Sequence, residues 1–102
     1  MPDVIEISRV VVIADTALEK ALLSEFLKLG AKGYNCSYCF GKGRHETIED
    51  PYTGRSRVRV EVLCRPSVAS SILDYVHRKQ FGAYPVAAFL DTVEVDARDT
   101  FF

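Results

Sequence analysis

The sequence predicts an α+β fold of the split βαβ kind, with a four-stranded antiparallel sheet carrying both helices on one face. Three observations lead there. Residues 7–14 form a short run rich in valine and isoleucine, and Arg57-Val58-Arg59-Val60-Glu61-Val62 alternates strictly between apolar and charged side chains. Two stretches with apolar residues at helical spacing separate the strand-like segments, which gives the order strand, helix, strand, strand, helix, strand.

The elements follow in chain order. Residues 7–14 are mostly apolar and suit a buried central strand. Thr16-Ala17-Leu18-Glu19 has the spacing of a capping box, after which Leu18, Leu22, Phe26 and Leu29 make one stripe of a helix ended by Gly30. Residues 33–40 are aromatic-rich and extended, and they pair with the alternating segment at 57–62 across a long polar connection. Pro66 sits where a helix tolerates a missing amide, and Val68, Ile72, Tyr75 and Val76 supply the apolar face of that second helix. His77, Arg78 and Lys79 complement its negative end, and Gly82 is expected to stop it. Residues 85–96 read as the last strand, with an irregularity expected near Thr92.

One hundred and two residues with 48% hydrophobic content make a single globular domain, 1–102, with one core. A net charge of −1 gives no general attraction to nucleic acid. The basic residues nonetheless gather at Lys42, Arg44, Arg55, Arg57 and Arg59, and the acidic ones at Asp91, Glu94, Asp96 and Asp99. No stretch approaches the eighteen or so apolar residues of a membrane-spanning helix. Three cysteines and no secretory signal predict reduced thiols in a cytoplasmic protein. The sheet face away from the helices is expected to carry Phe, Tyr, Val and Cys, an apolar area that predicts self-association.

The stretch with most chemical content is Gly41-Lys42-Gly43-Arg44, at the root of a loop far longer than the two to five residues or so of an ordinary hairpin. Glycines let backbone amides approach an anion and the cations neutralise it, so phosphate is the expected ligand. The Lys-Ser/Thr ending of a P-loop is missing, and nothing argues for hydrolysis. Cys36-Ser37-Tyr38-Cys39 is a CxxC, but residues three apart on a strand point to opposite faces and cannot chelate or bridge without a local turn. A zinc site would need Cys64, His45 or His77, which lack paired spacing. There is no Ser-His-Asp pattern or evident carboxylate pair, so an enzyme is not expected.

With these residues placed, the chain resembles the PII signalling superfamily. Gly30-Ala31-Lys32-Gly33-Tyr34, the strand into Gly41-Lys42-Gly43-Arg44 and the long loop before Val58 match its pattern at the base of the T-loop, here about 41–57. Phe81-Gly82-Ala83-Tyr84 and Thr100-Phe101 look like the divergent PII-like branch, which includes carboxysome-associated proteins and the cyanobacterial regulator of a bicarbonate transporter. The resemblance implies a ferredoxin-like homotrimer that binds adenine nucleotide in clefts between subunits. Carried over by position, Asn35 stands beside the base, Gly41, Lys42, Gly43 and Arg44 contact phosphates, and Gly82, Ala83 and Tyr84 form the second phosphate turn. The family's Gln after the arginine is His45 here, the lysine of its second turn is absent, and its last-strand arginines give way to acidic residues with Arg98 nearby. The T-loop tyrosine that the family modifies has no clear match in Tyr52.

These departures favour ADP or AMP over magnesium-ATP. The expected function is a PII-like regulator, without a metal or other cofactor, that signals energy or inorganic-carbon status to a bicarbonate transporter or a carboxysome protein. Bicarbonate is a further candidate ligand. Two alternatives compete: a trimeric ferredoxin-like protein concerned with metal ions, and a small thiol redox protein using Cys36 and Cys39.

Overall fold

The computed structural model describes residues 3–44, 55–79, 81–82 and 84–98, the Arg55 side chain excepted. Of the loop expected at about 41–57, residues 45–54, with His45 and Tyr52, lie outside the described residues, as do Ala83, Thr100, Phe101 and Phe102, whereas residues 55–57 already belong to a strand. Strand β1 (Val4–Asp15) leads through a single 3-10 turn (Thr16–Leu18) into helix α1 (Glu19–Lys28). The hairpin of β2 (Asn35–Gly41) and β3 (Arg55–Cys64) follows, then α2 (Pro66–Arg78) and β4 (Val86–Asp96). The sheet is antiparallel in the order β2-β3-β1-β4, the ferredoxin-like arrangement that the element order predicts.

Register sorts every strand residue to a face. Val10, Val12 and Ala14 of β1 stand opposite Val62, Val60 and Val58 of β3. With Leu22 and Phe26 of α1, and Ala69 and Ile72 of α2, they form one buried cluster, so both helices cover this face. Phe26 is fully buried there, and removing a side chain of its kind from water contributes about 1.5–3 kcal/mol. The odd-numbered residues of β1 face the other way. Ile7 and Val11 are buried on that side too, which explains why residues 10–14 read as a continuous apolar run.

Several local expectations need correcting. Asp15, not Thr16, caps the first helical segment, its carboxylate accepting from the Ala17 amide at 2.9 Å. Glu19 is therefore not half of a capping box; its carboxylate accepts from the Tyr38 hydroxyl and ties β2 to the start of α1. Helix α1 does end at Gly30, whose φ of 115° completes a Schellman closure. The Ala31 amide donates to the Phe26 carbonyl and the Gly30 amide to that of Leu27. A Cβ at residue 30 would also lie 3.1 Å from Val68 Cγ2, so glycine lets the helix end sit tightly against α2.

Helix α2 stops at Arg78, before Gly82, which turns the chain a few residues later at φ 66°. Strand β4 has no irregularity: Thr92 pairs with Ser8 in an unbroken ladder from Val4·Asp96 to Ala14·Val86. The open face carries Val11, Phe89, Val93, Val95 and Cys39, but Tyr38 lies on the helix side, and a charged row crosses the middle. Arg9 grips Asp91 with two bonds of 2.9 and 2.6 Å, and Glu61 stands 3.9 Å from Arg9 and 3.4 Å from Arg59.

Candidate functional site

The C-terminal ends of β2 and β1 and the N-terminal ends of β3 and β4 meet at one border of the sheet because neighbouring strands run antiparallel. Gly41 pairs with Arg55, Cys39 with Arg57, Arg57 with Asp15, and Ile13 with Ala87. Ile13, Cys39, Gly41, Arg57 and Ala87 are on the open face by the alternation of a strand. There they and the chain just outside them enclose a cavity of about 330 Å3, lined by Ile13, Cys39, Phe40, Gly41, Lys42, Gly43, Arg57 and residues 85–87.

Each wall has a local reason. Gly41 is the last paired residue of β2, and a Cβ there would stand 3.3 Å from Arg57 Nε and 3.5 Å from its Cδ. The missing side chain is the space in which the Arg57 guanidinium lies across the strand. Arg57 is only 7% exposed, so the cavity has a nearly buried cation in its wall. Lys42 and Gly43 leave the ladder, and the Lys42 ammonium donates to the Gly43 carbonyl at 3.3 Å, a long bond that yields easily to a better acceptor. Apolar Ile13, Phe40, Pro85 and Val86 complete the lining. An anionic group with an apolar body is what such a site accommodates.

Of the residues singled out from sequence, the structure brings Gly41, Lys42 and Gly43 together at this cavity. Arg44 follows them in an exposed turn. Gly82 and Tyr84 belong to the turn that delivers Pro85, with the Tyr84 amide donating to the Phe81 carbonyl at 3.3 Å, but neither lines the cavity. Asn35 lies at the far end of β2, six residues and therefore about 20 Å from Gly41. Arg98 follows the far end of β4, about 30 Å from Val86. Its guanidinium donates to Asp96 at 3.1 and 2.8 Å and its amide at 2.9 Å, which holds the Asp96 carboxyl below the usual range.

Arg57 and Arg59 fall on one face of β3 by the alternation of the strand. Register separates them, since Arg59 turns to Glu61 while Arg57 lines the cavity. Residues 85–87 were missed because only the strand order brings them beside β1 and opposite the glycine turn. The CxxC is split as strand geometry requires, with Cys36 opposite Val60 on the helix side and Cys39 opposite Arg57 on the open side. Burial pushes the Cys36 thiol up, with Glu19 adding to it, and burial does the same to Cys64.

A four-stranded ferredoxin-like sheet under two helices, with a glycine and cation turn at the end of β2 beside a cavity, defines a class of small α+β proteins. The family model for nitrogen regulatory protein P-II matches residues 7–97, and the chain belongs to that family. A structure from Thermus thermophilus described as a PII-like signaling protein is 32% identical, with a TM-score of 0.75 over 92% of this chain and 93% of that one. CPII from Thiomonas intermedia, in a structure bound to ADP and bicarbonate, superposes with a TM-score of 0.77 over 94% of both chains at 16% identity. GlnK of B. subtilis gives 0.65 at 16% identity over 87% of this chain and 86% of that one. Among curated proteins no match is found.

Proposed function

We infer that this PII-family chain is a regulator that binds adenine nucleotide, ADP or AMP in preference to magnesium-ATP, at clefts between the subunits of a homotrimer. The observation that carries the reading is the cavity in which Gly41, Lys42 and Gly43 meet the nearly buried Arg57. Backbone amides and two cations suit one or two phosphates, and the apolar walls suit a base or ribose. The ADP and bicarbonate bound to CPII support the same ligands here, bicarbonate included.

The trimer rests on two features. The open face presents Phe89 and Ile5 to solvent beside Val93 and Val95, and covering it buries an apolar area. Arg98, at the far end of β4 and about 30 Å from the cavity wall at Val86, would reach a nucleotide in the cavity from a neighbouring subunit. The signal passes through the long loop to a bicarbonate transporter or a carboxysome protein, in the cytoplasm. The redox alternative loses support from the division of Cys36 and Cys39 between two faces of the sheet.

Calorimetry with ADP, AMP and ATP, with and without magnesium and bicarbonate, tests the ligand, and light scattering after size exclusion tests the assembly. ADP and AMP are expected to bind more tightly than magnesium-ATP to a particle of three chain masses. Absence of any nucleotide response removes the reading. Tighter binding of magnesium-ATP leaves the sensor standing and refutes the charge argument.

A further inference from the structure

On the helix layer, facing away from the sheet, α1 and α2 bound a second cavity of about 460 Å3. Glu25 and Leu29, one turn apart, form one wall, and Ser71, Asp74, Tyr75 and Arg78, with Lys79 just beyond, form the other. The sheet face inferred to pack in the trimer is on the opposite side, so this cavity stays open to solvent in the assembly.

Its charges balance in a particular way. Arg78 Nη2 lies 2.9 Å from Asp74 Oδ2, so these two neutralise each other. The Glu25 carboxylate and the Lys79 ammonium have no ion-pair partner among the described residues, although both line the cavity. Leu29, one turn from Glu25, and the half-buried ring of Tyr75 supply the apolar part of the lining. A simple anion entering here meets Glu25, and a simple cation meets Lys79. A molecule that carries both an ammonium and a carboxylate satisfies each, and an apolar side chain on it covers Leu29 and Tyr75.

We propose that the interhelical cavity binds an α-amino acid in its zwitterionic form, with the ammonium at Glu25, the carboxylate at Lys79 and an apolar side chain over Leu29 and Tyr75. The fold also connects this cavity to the glycine turn. Tyr75 stands edge-on to Phe81, with ring centroids 6.1 Å apart and planes at 83°. Phe81 accepts from the Tyr84 amide across the turn that delivers Pro85 and Val86 to the first cavity. A ligand that presses on Tyr75 shifts Phe81 and with it that wall. This coupling rests on the nucleotide reading, whereas the amino-acid site itself does not.

The probe is L-leucine, titrated against uniformly 15N-labelled protein and by calorimetry. Two analogues accompany it: 3-methylbutylamine, which lacks the carboxylate, and 4-methylpentanoate, which lacks the ammonium. Leucine is expected to shift the amides of Glu25, Leu29, Tyr75 and Lys79, and each analogue to bind at least about tenfold more weakly, the worth of one charge-assisted contact. Glu25→Gln and Lys79→Gln, both changes at solvent-accessible side chains, should each weaken leucine by a similar factor and leave ADP affinity without leucine unchanged. In wild type, leucine should change the ADP affinity by a few-fold, and Phe81→Leu should abolish that change. Analogues that bind as well as leucine, or leucine binding indifferent to both substitutions, would overturn the site. ADP binding without any response to leucine sinks this proposal and leaves the nucleotide reading intact; leucine binding that never alters ADP affinity removes the coupling.

Discussion

Replacing Gly41 by alanine separates the stability of the sheet from the function of the cavity. The backbone of Gly41 is not in the left-handed region, so alanine fits its conformation, and such an exchange stabilises by about 0.4–1 kcal/mol through the unfolded chain. Against this, the new methyl would stand 3.3 Å from Arg57 Nε, and the guanidinium has to give by a few tenths of an ångström. The two effects nearly cancel. For a domain of about this size 1 kcal/mol corresponds to roughly 4–8 °C, so the melting temperature should stay within that interval of wild type. Binding should suffer more. A charge-assisted contact is worth about 1.5–3 kcal/mol, and losing half of it through displacement weakens a phosphate ligand by roughly 3- to 12-fold. Calorimetry with ADP measures this, and Arg57→Met, which keeps most of the side-chain volume, supplies the control. If the loss runs through Arg57, Gly41→Ala adds nothing in the Arg57→Met background. An equal loss in both backgrounds, or a Gly41→Ala protein that fails to fold, refutes the reasoning.

Two further expectations concern acid stability and the thiols. Hydrogen bonds from Arg9 hold the Asp91 carboxyl below its usual range, so the pair stabilises above the unfolded value of about 3.9 and is lost as pH falls through the lower folded value. Urea midpoints from pH 7 to pH 3 should show a fall in wild type that Asp91→Asn flattens, with the two curves converging in acid; parallel curves would exclude the pair as a source of the slope. Iodoacetamide should label Cys39, in the cavity wall, more slowly when ADP is bound, leave Cys36 labelling unchanged on the other face of the sheet, and reach buried Cys64 only on unfolding. Mass spectrometry of the labelled peptides reads all three, and equal protection of Cys36 and Cys39 would remove the cavity as the place of binding.

The sequence alone determined the parts of this protein that depend on neighbours in the chain. Alternation from Arg57 to Val62, the stripe through Leu22 and Phe26, Pro66 at a helix start and Gly30 at a helix end each express a local backbone preference. The order of these elements leaves few antiparallel arrangements. The same locality made Gly41-Lys42-Gly43 visible, since a glycine and cation turn is written in consecutive residues. Other assignments needed tertiary structure because they depend on register and strand order. Alternation puts Arg57 and Arg59 on one face without distinguishing them; only their neighbours in β1 and β2 make one an ion-pair partner of Glu61 and the other a cavity wall. Glu19 satisfies a capping pattern on paper, but Asp15 reaches the free amide first and Tyr38 claims the carboxylate. Arg9 and Asp91, 82 positions apart, meet because β1 and β4 are adjacent. Local pattern fixes which way the backbone runs, whereas the partner of a long polar side chain is decided by the strands that packing places beside it.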